Sequence, residues 1–360
     1  MAEQVLDDRA LNRALLARQG LLERRKVPVT TMLEQLAGVQ AEQPQYPYIG
    51  LWSRIRGFDP AELGAALTDR RAVRLWVMRG TIHMTTPEDA AAMYPLTRRV
   101  HGQSFASNFG KGLAGADPDE VTAAAVELMA AEPRTKKELA AALAERWPDA
   151  ERDSLAVCAT HFAPCVQVPP RGLFRQPGQV RLAPLEQWVD RPLEPQPPVA
   201  GLVRRYLSAF GPATVADMRT WSRVTGLREV FETLRPELRT FRDEQGRELF
   251  DVPDGLLPDP DTPAPPRFIP RLDNATLSHD DRSRILDGGG PDVRWRSGGL
   301  MAGHLLIDGF HRARWVLTDD KGVATLAIEG LERLPGDVEA EAHALLAFWA
   351  PGAERRDLVL

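Results

Sequence analysis

Two side chains near residue 40 have the types and the spacing to hold and activate a water molecule. Gln40 and Glu42 stand two residues apart at the end of a predicted amphipathic helix. On a continuous helix they would point about 200° apart, but Pro44 disfavours helical geometry at the preceding residue. If the chain leaves the helix in an extended conformation, both side chains turn to one side. An amide and a carboxylate placed in this way could share a water for general-base chemistry. The alternative is that both are simply solvated at a helix end.

The helix before this pair belongs to a pattern that occurs three times. A Pro or Val precedes a Thr that can cap an amphipathic helix, and a Glu or Asp follows three or four residues later. Each copy comes after another amphipathic stretch, so each predicts a helix-turn-helix. The copies are residues 29–36, 133–139 and 212–218, with Thr30, Thr135 and Thr214 as the caps.

Each helix-turn-helix is followed by alternating apolar and polar residues, which predict a β-hairpin wing. We therefore predict an α+β fold of three tandem winged-helix units and a small, mostly β C-terminal domain closed by a helix. Three such units in one chain predict a C-shaped channel around a duplex. The predicted domains are residues 1–100, 117–190, 198–252 and 266–360.

The first predicted wing carries polar residues that could contact DNA. Residues 73–86 alternate as a hairpin, with Arg79 and His83 on the face opposite Trp76 and Met84. His83 could bind phosphate or help to order the water, and the alternative is a histidine with a structural role.

The overall composition is that of an ordinary soluble protein, with 360 residues, 43% hydrophobic and 26% charged. The net charge of −5 argues against a general polyanion binder. Arginines nevertheless cluster in two parts of the chain, and Arg54 and Arg282 are candidate phosphate contacts. A glycine-rich stretch near residue 295 predicts a basic hairpin tip that wedges into a minor groove, or a surface loop whose Trp packs on the core. Its candidate contacts are Arg294, Trp295 and Arg296.

Several other site types are unsupported. No apolar run of 18 residues predicts a membrane span, and no secretory signal is visible at the start, so we expect a cytoplasmic protein. Cys158, His161 and Cys165 could suggest zinc, but no second ligand cluster exists, and buried thiols are the expectation. The run 278–281 contains Ser, His and Asp too close together to converge as a triad. It predicts a structural capping network, and no metal or cofactor is expected.

These motifs together resemble the winged-helix DNA glycosylase family of AlkZ and YcaQ. The resemblance covers nearly the whole chain. It rests on GVQAEQP at 38–44, LWSR at 51–54, VMRGTIH at 77–83, FGPAT at 210–214, DM at 217–218, WS at 221–222, DN at 273–274, LSHDDR at 277–282 and IDGF at 307–310.

The resemblance implies tandem winged helices around a concave DNA channel. It also implies excision of bulky N7-alkylated purines from double-stranded DNA, including adducts and crosslinks left by DNA-alkylating natural products. The family's catalytic element is similar to Gln-x-Gln, which hydrogen-bonds the hydrolytic water. Gln40 matches the first position, whereas Glu42 departs from the second. Gln43 could take that role through a one-residue shift.

The departure at Glu42 has two opposite implications. A carboxylate is a better general base than an amide and a better partner for a cationic sugar, but the change could also alter the substrate range or the activity.

We expect a monomeric, monofunctional and metal-independent glycosylase that associates with the nucleoid when bound to DNA. The alternative is a non-catalytic DNA-binding protein, either a lesion sensor or a transcriptional regulator.

Overall fold

The computed structural model describes residues 4–98, 105, 108–287 and 301–360. The chain forms two compact units that do not follow its linear order. The predicted first domain, residues 1–100, is divided between them after Phe58. We call them the N/C unit, residues 1–58, 203–221 and 226–360, and the middle unit, residues 59–202 and 222–225.

The N/C unit begins with short elements that lead to the candidate site. Helix α1 is capped by Asp7, whose carboxylate accepts a hydrogen bond from the backbone N–H of Ala10. The elements are β1 (Val5–Leu6), α1 (Asp8–Arg18), α2 (Val29–Gln35), β2 (Val39–Gln40) and α3 (Tyr46–Trp52).

The middle unit combines a sheet with helices on an apolar core. Its strands lie in the order β4–β3–β5–β6, and each neighbouring pair is antiparallel. The helices bury apolar residues such as Val121, Leu139 and Leu155. The elements are α4 (Pro60–Thr68), β3 (Val73–Trp76), β4 (Ile82–Thr85), α5 (Pro87–Thr97), α6 (Pro118–Ala131), α7 (Lys136–Arg146), α8 (Arg152–Phe162), β5 (Cys165–Gln167), β6 (Leu182–Pro184) and α9 (Leu185–Val189).

The remaining chain supplies three helices and a hairpin, and then a larger sheet. The hairpin is β7 (Arg239–Asp243) with β8 (Glu248–Asp251), and β1 adds to β7 in parallel. The preceding helices are α10 (Val199–Phe210), α11 (Val215–Ser222) and α12 (Leu227–Leu234).

The larger sheet lies in the C-terminal part of the N/C unit, with strand order β13–β12–β11–β10–β9. Asp308 and Gly309, at φ values of 49° and 82°, form the turn between the antiparallel strands β10 and β11. The elements are β9 (Arg267–Pro270), α13 (Asn274–Leu277), β10 (Met301–Ile307), β11 (Phe310–Asp320), β12 (Val323–Glu329), α14 (Gly336–Trp349) and β13 (Arg355–Val359).

Helix α1 is fixed in the N/C unit by buried polar side chains. Arg18 donates to both carboxylate oxygens of Asp251, at 2.7 and 2.8 Å, and also to the carbonyl oxygens of Leu207 and Leu256. The Asn12 amide donates to two further carbonyls, those of Arg284 and Gly309. The first long helix is thus held by residues that follow it by some two to three hundred positions.

Two of the three predicted helix caps are present. Thr135 and Glu138 form a reciprocal capping box at the start of α7, with bonds of 3.2 and 2.8 Å. Thr214 and Asp217 do the same before α11. The prediction for Thr30 is wrong: in the described structure α2 already begins at Val29 and has no side-chain cap.

Removing a confirmed cap should therefore cost stability, whereas removing the failed one should not. We expect Thr135→Ala to lower the free energy of unfolding by about 1 kcal/mol, because a backbone N–H at the helix start loses its acceptor. Thr30→Ala is the matched control and should change it by less than about 0.5 kcal/mol. Chemical denaturation of both variants measures the difference, and equal effects would contradict the assignment.

Candidate active site

Helix α2 ends shortly before the candidate catalytic pair, Gln40 and Glu42, and the chain then continues in an extended conformation. The N–H of Gly38 donates to the carbonyl of Leu33 at 2.9 Å, and that of Ala37 to Glu34 at 3.0 Å. This Schellman motif places Ala37 and Gly38 at positive φ, 51° and 82°. The helix therefore ends at Gln35, several residues before the predicted exit near Gln40.

The extended exit brings Gln40 and Glu42 together. The Gln40 amide Nε2 donates to Glu42 Oε2 at 3.2 Å. Gln40 is 7% exposed and Glu42 is exposed, so a buried amide orients a carboxylate that meets solvent. Gln43 is half-buried, and its carbonyl accepts from the N–H of Tyr46 before α3. The structure thus pairs Gln40 with Glu42.

Side chains from residues 273 and 274 support this segment. Asn274 Nδ2 donates to the carbonyl of Gly38 at 2.8 Å, two residues before Gln40. Asp273 caps α13 through the N–H of Ala275. The sequence marks Asp273 and Asn274 only as part of the family motif and does not connect them with Gln40, which lies more than 230 positions earlier in the chain.

Arg54 belongs to the same support and not to a DNA surface. It is 1% exposed, and its two Nη atoms donate to Asp273 at 2.9 and 2.7 Å. Nη1 also donates to the carbonyl of Gly50. Burial and bidentate pairing keep this guanidinium from phosphate, which corrects the expectation that Arg54 contacts DNA.

His83 is also interior, contrary to its predicted place on a polar face. It pairs with Leu75 across the hairpin and is fully buried. The predicted side of the strand is right, since Trp76 and Met84 lie on the other face, but the face that His83 shares with Leu75 is buried. Burial, assisted by the nearby charge of Arg79, lowers the pKa of His83 to about 3. A neutral buried imidazole does not supply a cation for phosphate.

The depressed pKa of His83 predicts a loss of stability in acid. Below the unfolded value of 6.5 the unfolded chain takes up a proton that the folded chain refuses until about pH 3. As the pH falls across this window, we expect the unfolding free energy of the wild type to decrease by up to about 1.4 kcal/mol per pH unit more than that of His83→Gln. Denaturation at pH 7, 6 and 5 measures both proteins. Parallel curves would contradict a buried neutral His83.

The other predicted contacts have different surroundings. Arg79 is half-buried at the hairpin tip, with Nη2 3.4 Å from His83 Nε2. Arg282 is exposed, and its carbonyl accepts from Ile285 and Leu286 N–H groups. The predictions for Arg294, Trp295 and Arg296 lie outside the described residues.

The Ser-His-Asp run forms the capping network that its spacing predicted. Ser278 Oγ lies 3.0 Å from His279 Nδ1, and His279 Nε2 lies 3.0 Å from the carbonyl oxygen of Phe210. The backbone N–H of Asp280 donates to Asp217. His279 is 2% exposed, and its pKa is lowered to about 3, chiefly by burial. These groups link α10 and α11 to the loop after α13.

The cysteines are free and buried, as expected. Burial raises the pKa of Cys158 to about 11 and of Cys165 to about 12, so both thiols stay protonated near neutral pH. Among the residues that the structure describes, no group of three or more His, Cys, Asp or Glu side chains is arranged to hold a metal ion. Within the same residues, no helix is both long and apolar enough to span a bilayer.

Comparison with known proteins places these features in a family. The family model described as DNA glycosylase AlkZ-like matches residues 33–348. An interstrand DNA cross-link repair glycosylase of Streptomyces sahachiroi is 25% identical over 248 residues, which cover 65% of this chain and 64% of that protein's own length. The solved structure of S. sahachiroi DNA glycosylase AlkZ superposes with a TM-score of 0.74 at 18% identity, covering 99% of this chain and all of that one.

The chain therefore belongs to the AlkZ-like DNA glycosylase family. The matched region includes Gln40 and Glu42. The structural similarity extends the shared mixed α+β fold over nearly the whole chain. The sequence match covers less than two thirds of the length of the S. sahachiroi cross-link repair glycosylase.

Proposed function

We propose that this protein is a DNA glycosylase that hydrolyses the N-glycosidic bond of N7-alkylated purines in duplex DNA, including bulky or crosslinked ones. The observation that carries the proposal is the hydrogen bond from Gln40 Nε2 to Glu42 Oε2, 3.2 Å long. It places an oriented, exposed carboxylate in a segment that lies within the family match. A DNA-binding regulator has no use for such a pair.

The proposed reaction needs few groups. A purine alkylated at N7 carries a positive charge, so its bond to the sugar is already weakened and the base leaves without protonation. Water attacks C1′, the bond from C1′ to N9 breaks, and its electron pair neutralises the purine. Glu42 accepts the proton of the water and faces the developing positive charge on the sugar. Gln40 holds the Glu42 carboxylate and the water in position for attack on the sugar.

We propose that DNA is held by tandem winged helices that line a C-shaped channel. The middle unit offers helices α6 to α8 followed by strands β5 and β6, and the N/C unit offers α10 to α12 followed by β7 and β8. Both orders are typical of winged helices. We place the protein in the cytoplasm as a monomer that needs no metal. The proposed DNA contacts are Arg79, Arg282, Arg294, Trp295 and Arg296.

The test is base release from a duplex that carries a single N7-methylguanine. We expect the wild type to leave an abasic site, seen as strand scission only after mild alkali, and EDTA to have no effect. Scission without alkali would contradict a monofunctional mechanism.

A duplex with a bulky N7-alkylguanine and one with an alkyl interstrand crosslink extend the same assay. Binding of all three duplexes without base release from any would overturn the glycosylase and favour a lesion sensor. Preference for one undamaged sequence would favour a transcriptional regulator.

A further inference from the structure

A cavity of about 10 Å³ adjoins Gln40 within the N/C unit. This is about the space that one water molecule requires. Half of its lining residues are polar, and apolar residues such as Leu36 and Pro270 form the rest of the wall. The polar lining residues are Gln19, Gln40, Tyr46, Arg54, Asp273 and Asn274.

Two of these residues carry a buried polar atom for which no hydrogen-bond partner exists among the described residues. They are the acceptor Gln19 Oε1 and the donor Arg54 Nε. Gln19 is wholly buried, and its Nε2 donates to the carbonyl of Ala209 at 2.8 Å, which fixes the orientation of the amide. The Nη atoms of Arg54 are occupied by Asp273 and Gly50.

The two unpartnered atoms belong to neighbouring parts of the fold. Gly20 follows Gln19, and a Cβ built on Gly20 would lie 3.7 Å from the Cβ of Arg54. Buried donors and acceptors are nearly always paired, and internal water commonly supplies the partner where protein does not. Such waters typically make about three hydrogen bonds.

We propose that this cavity is a binding site for one internal water that positions Gln40. The water accepts a hydrogen bond from Arg54 Nε–H and donates one to Gln19 Oε1. Its second proton is donated to Gln40 Oε1, which leaves Nε2 directed to Glu42. Gln19 and Arg54 are therefore positioning residues that act on the catalytic pair through a bound water. The catalytic consequence rests on the proposed function, whereas the water site does not.

The water site is tested directly by a crystal structure of the protein at a resolution that shows internal waters. We expect one density peak at about 2.7–3.2 Å from both Gln19 Oε1 and Arg54 Nε. An empty cavity, in a map where other buried waters are visible, would overturn the proposal.

The positioning role is tested by Gln19→Leu in single-turnover base release from the N7-methylguanine duplex. We expect the rate constant to fall about tenfold, because a displaced catalytic group costs rate, while the Kd for the same duplex changes less than about twofold. An unchanged rate constant would overturn the positioning role. Arg54→Lys, which keeps a charge beside Asp273 but removes Nε, should show the same split if Gln19→Leu does not fold.

Asn12→Leu is the matched control. It removes another fully buried amide of the same helical segment, with two hydrogen bonds to carbonyls, but Asn12 does not line the cavity. We expect its rate constant per folded molecule to equal that of wild type. An equal loss in both leucine variants would assign Gln19 a purely structural role. If wild type releases no base, the proposed function fails and the density alone decides the water site.

Discussion

Replacement of Glu42 by alanine is expected to lower the single-turnover rate of base release by about 100-fold, the lower end of what a positioned general base contributes. The carboxylate is exposed and held by Gln40 Nε2, so its removal eliminates the proton acceptor without opening a cavity in the core. The loss of one negative charge close to DNA should tighten binding only slightly, so the Kd for lesion-bearing duplex should stay within about threefold of wild type. Rate constants from alkali-induced strand scission measure the effect.

Glu42→Gln is the informative control, because it creates the Gln-x-Gln element that the family resemblance implies. An amide can hold the water but accepts its proton poorly. We expect this variant to keep a rate within about tenfold of wild type, since positioning persists while base strength is lost. A rate as low as that of Glu42→Ala would show that the negative charge itself is required. If Glu42→Ala matched wild type, Gln43 would become the next candidate.

Loss of Asp251 is expected to produce the largest change in stability, about 3–5 kcal/mol in the free energy of unfolding. The carboxylate is fully buried and engages both Nη atoms of Arg18, which is 4% exposed. A Cβ built on Gly255 would lie 2.6 Å from both carboxylate oxygens, so backbone encloses the pair. Asp251→Ala leaves a buried guanidinium without its counter-charge. Denaturant unfolding measures the loss.

The control for this prediction is an exposed ion pair of the same unit. Glu237 pairs with Arg204 at 2.7 Å, but both side chains are roughly half exposed to solvent. Glu237→Ala should therefore cost less than about 1 kcal/mol. A similar cost for Asp251→Ala and Glu237→Ala would contradict the view that burial makes the Arg18 pair important.

Local signals in the sequence predicted much of the fold and part of the site. Thr135 with Glu138 specified a cap through neighbouring residues alone, and the alternation at 73–86 specified a hairpin. Pro44 and the spacing of Gln40 and Glu42 predicted an extended exit in which the two side chains meet. Each of these depends on interactions within a few residues, which a single sequence displays directly.

Long-range burial was not visible in the same way. By residue type alone, Arg54 is expected to be a phosphate ligand at the surface. It is instead buried and pairs with Asp273, which lies more than two hundred positions later in the chain. His83 lies on the predicted face of its strand, but that face is buried and does not meet solvent. The roles of Gln19 and Asn274 depend on carbonyls and a cavity formed by distant segments. No local pattern in the sequence signals such partners.

The attachment of α1 also has a consequence for biosynthesis. Its buried side chains bond to groups 189 to 297 positions further along the chain. At roughly 5–20 residues per second, the helix waits on the order of ten seconds or more on the ribosome before those groups emerge. During that time Asn12, Arg18 and Gln19 are satisfied only by water or by a chaperone. The docking of α1 is therefore complete only after Gly309 has been translated, and a chain that terminates earlier leaves its first helix without all of its partners.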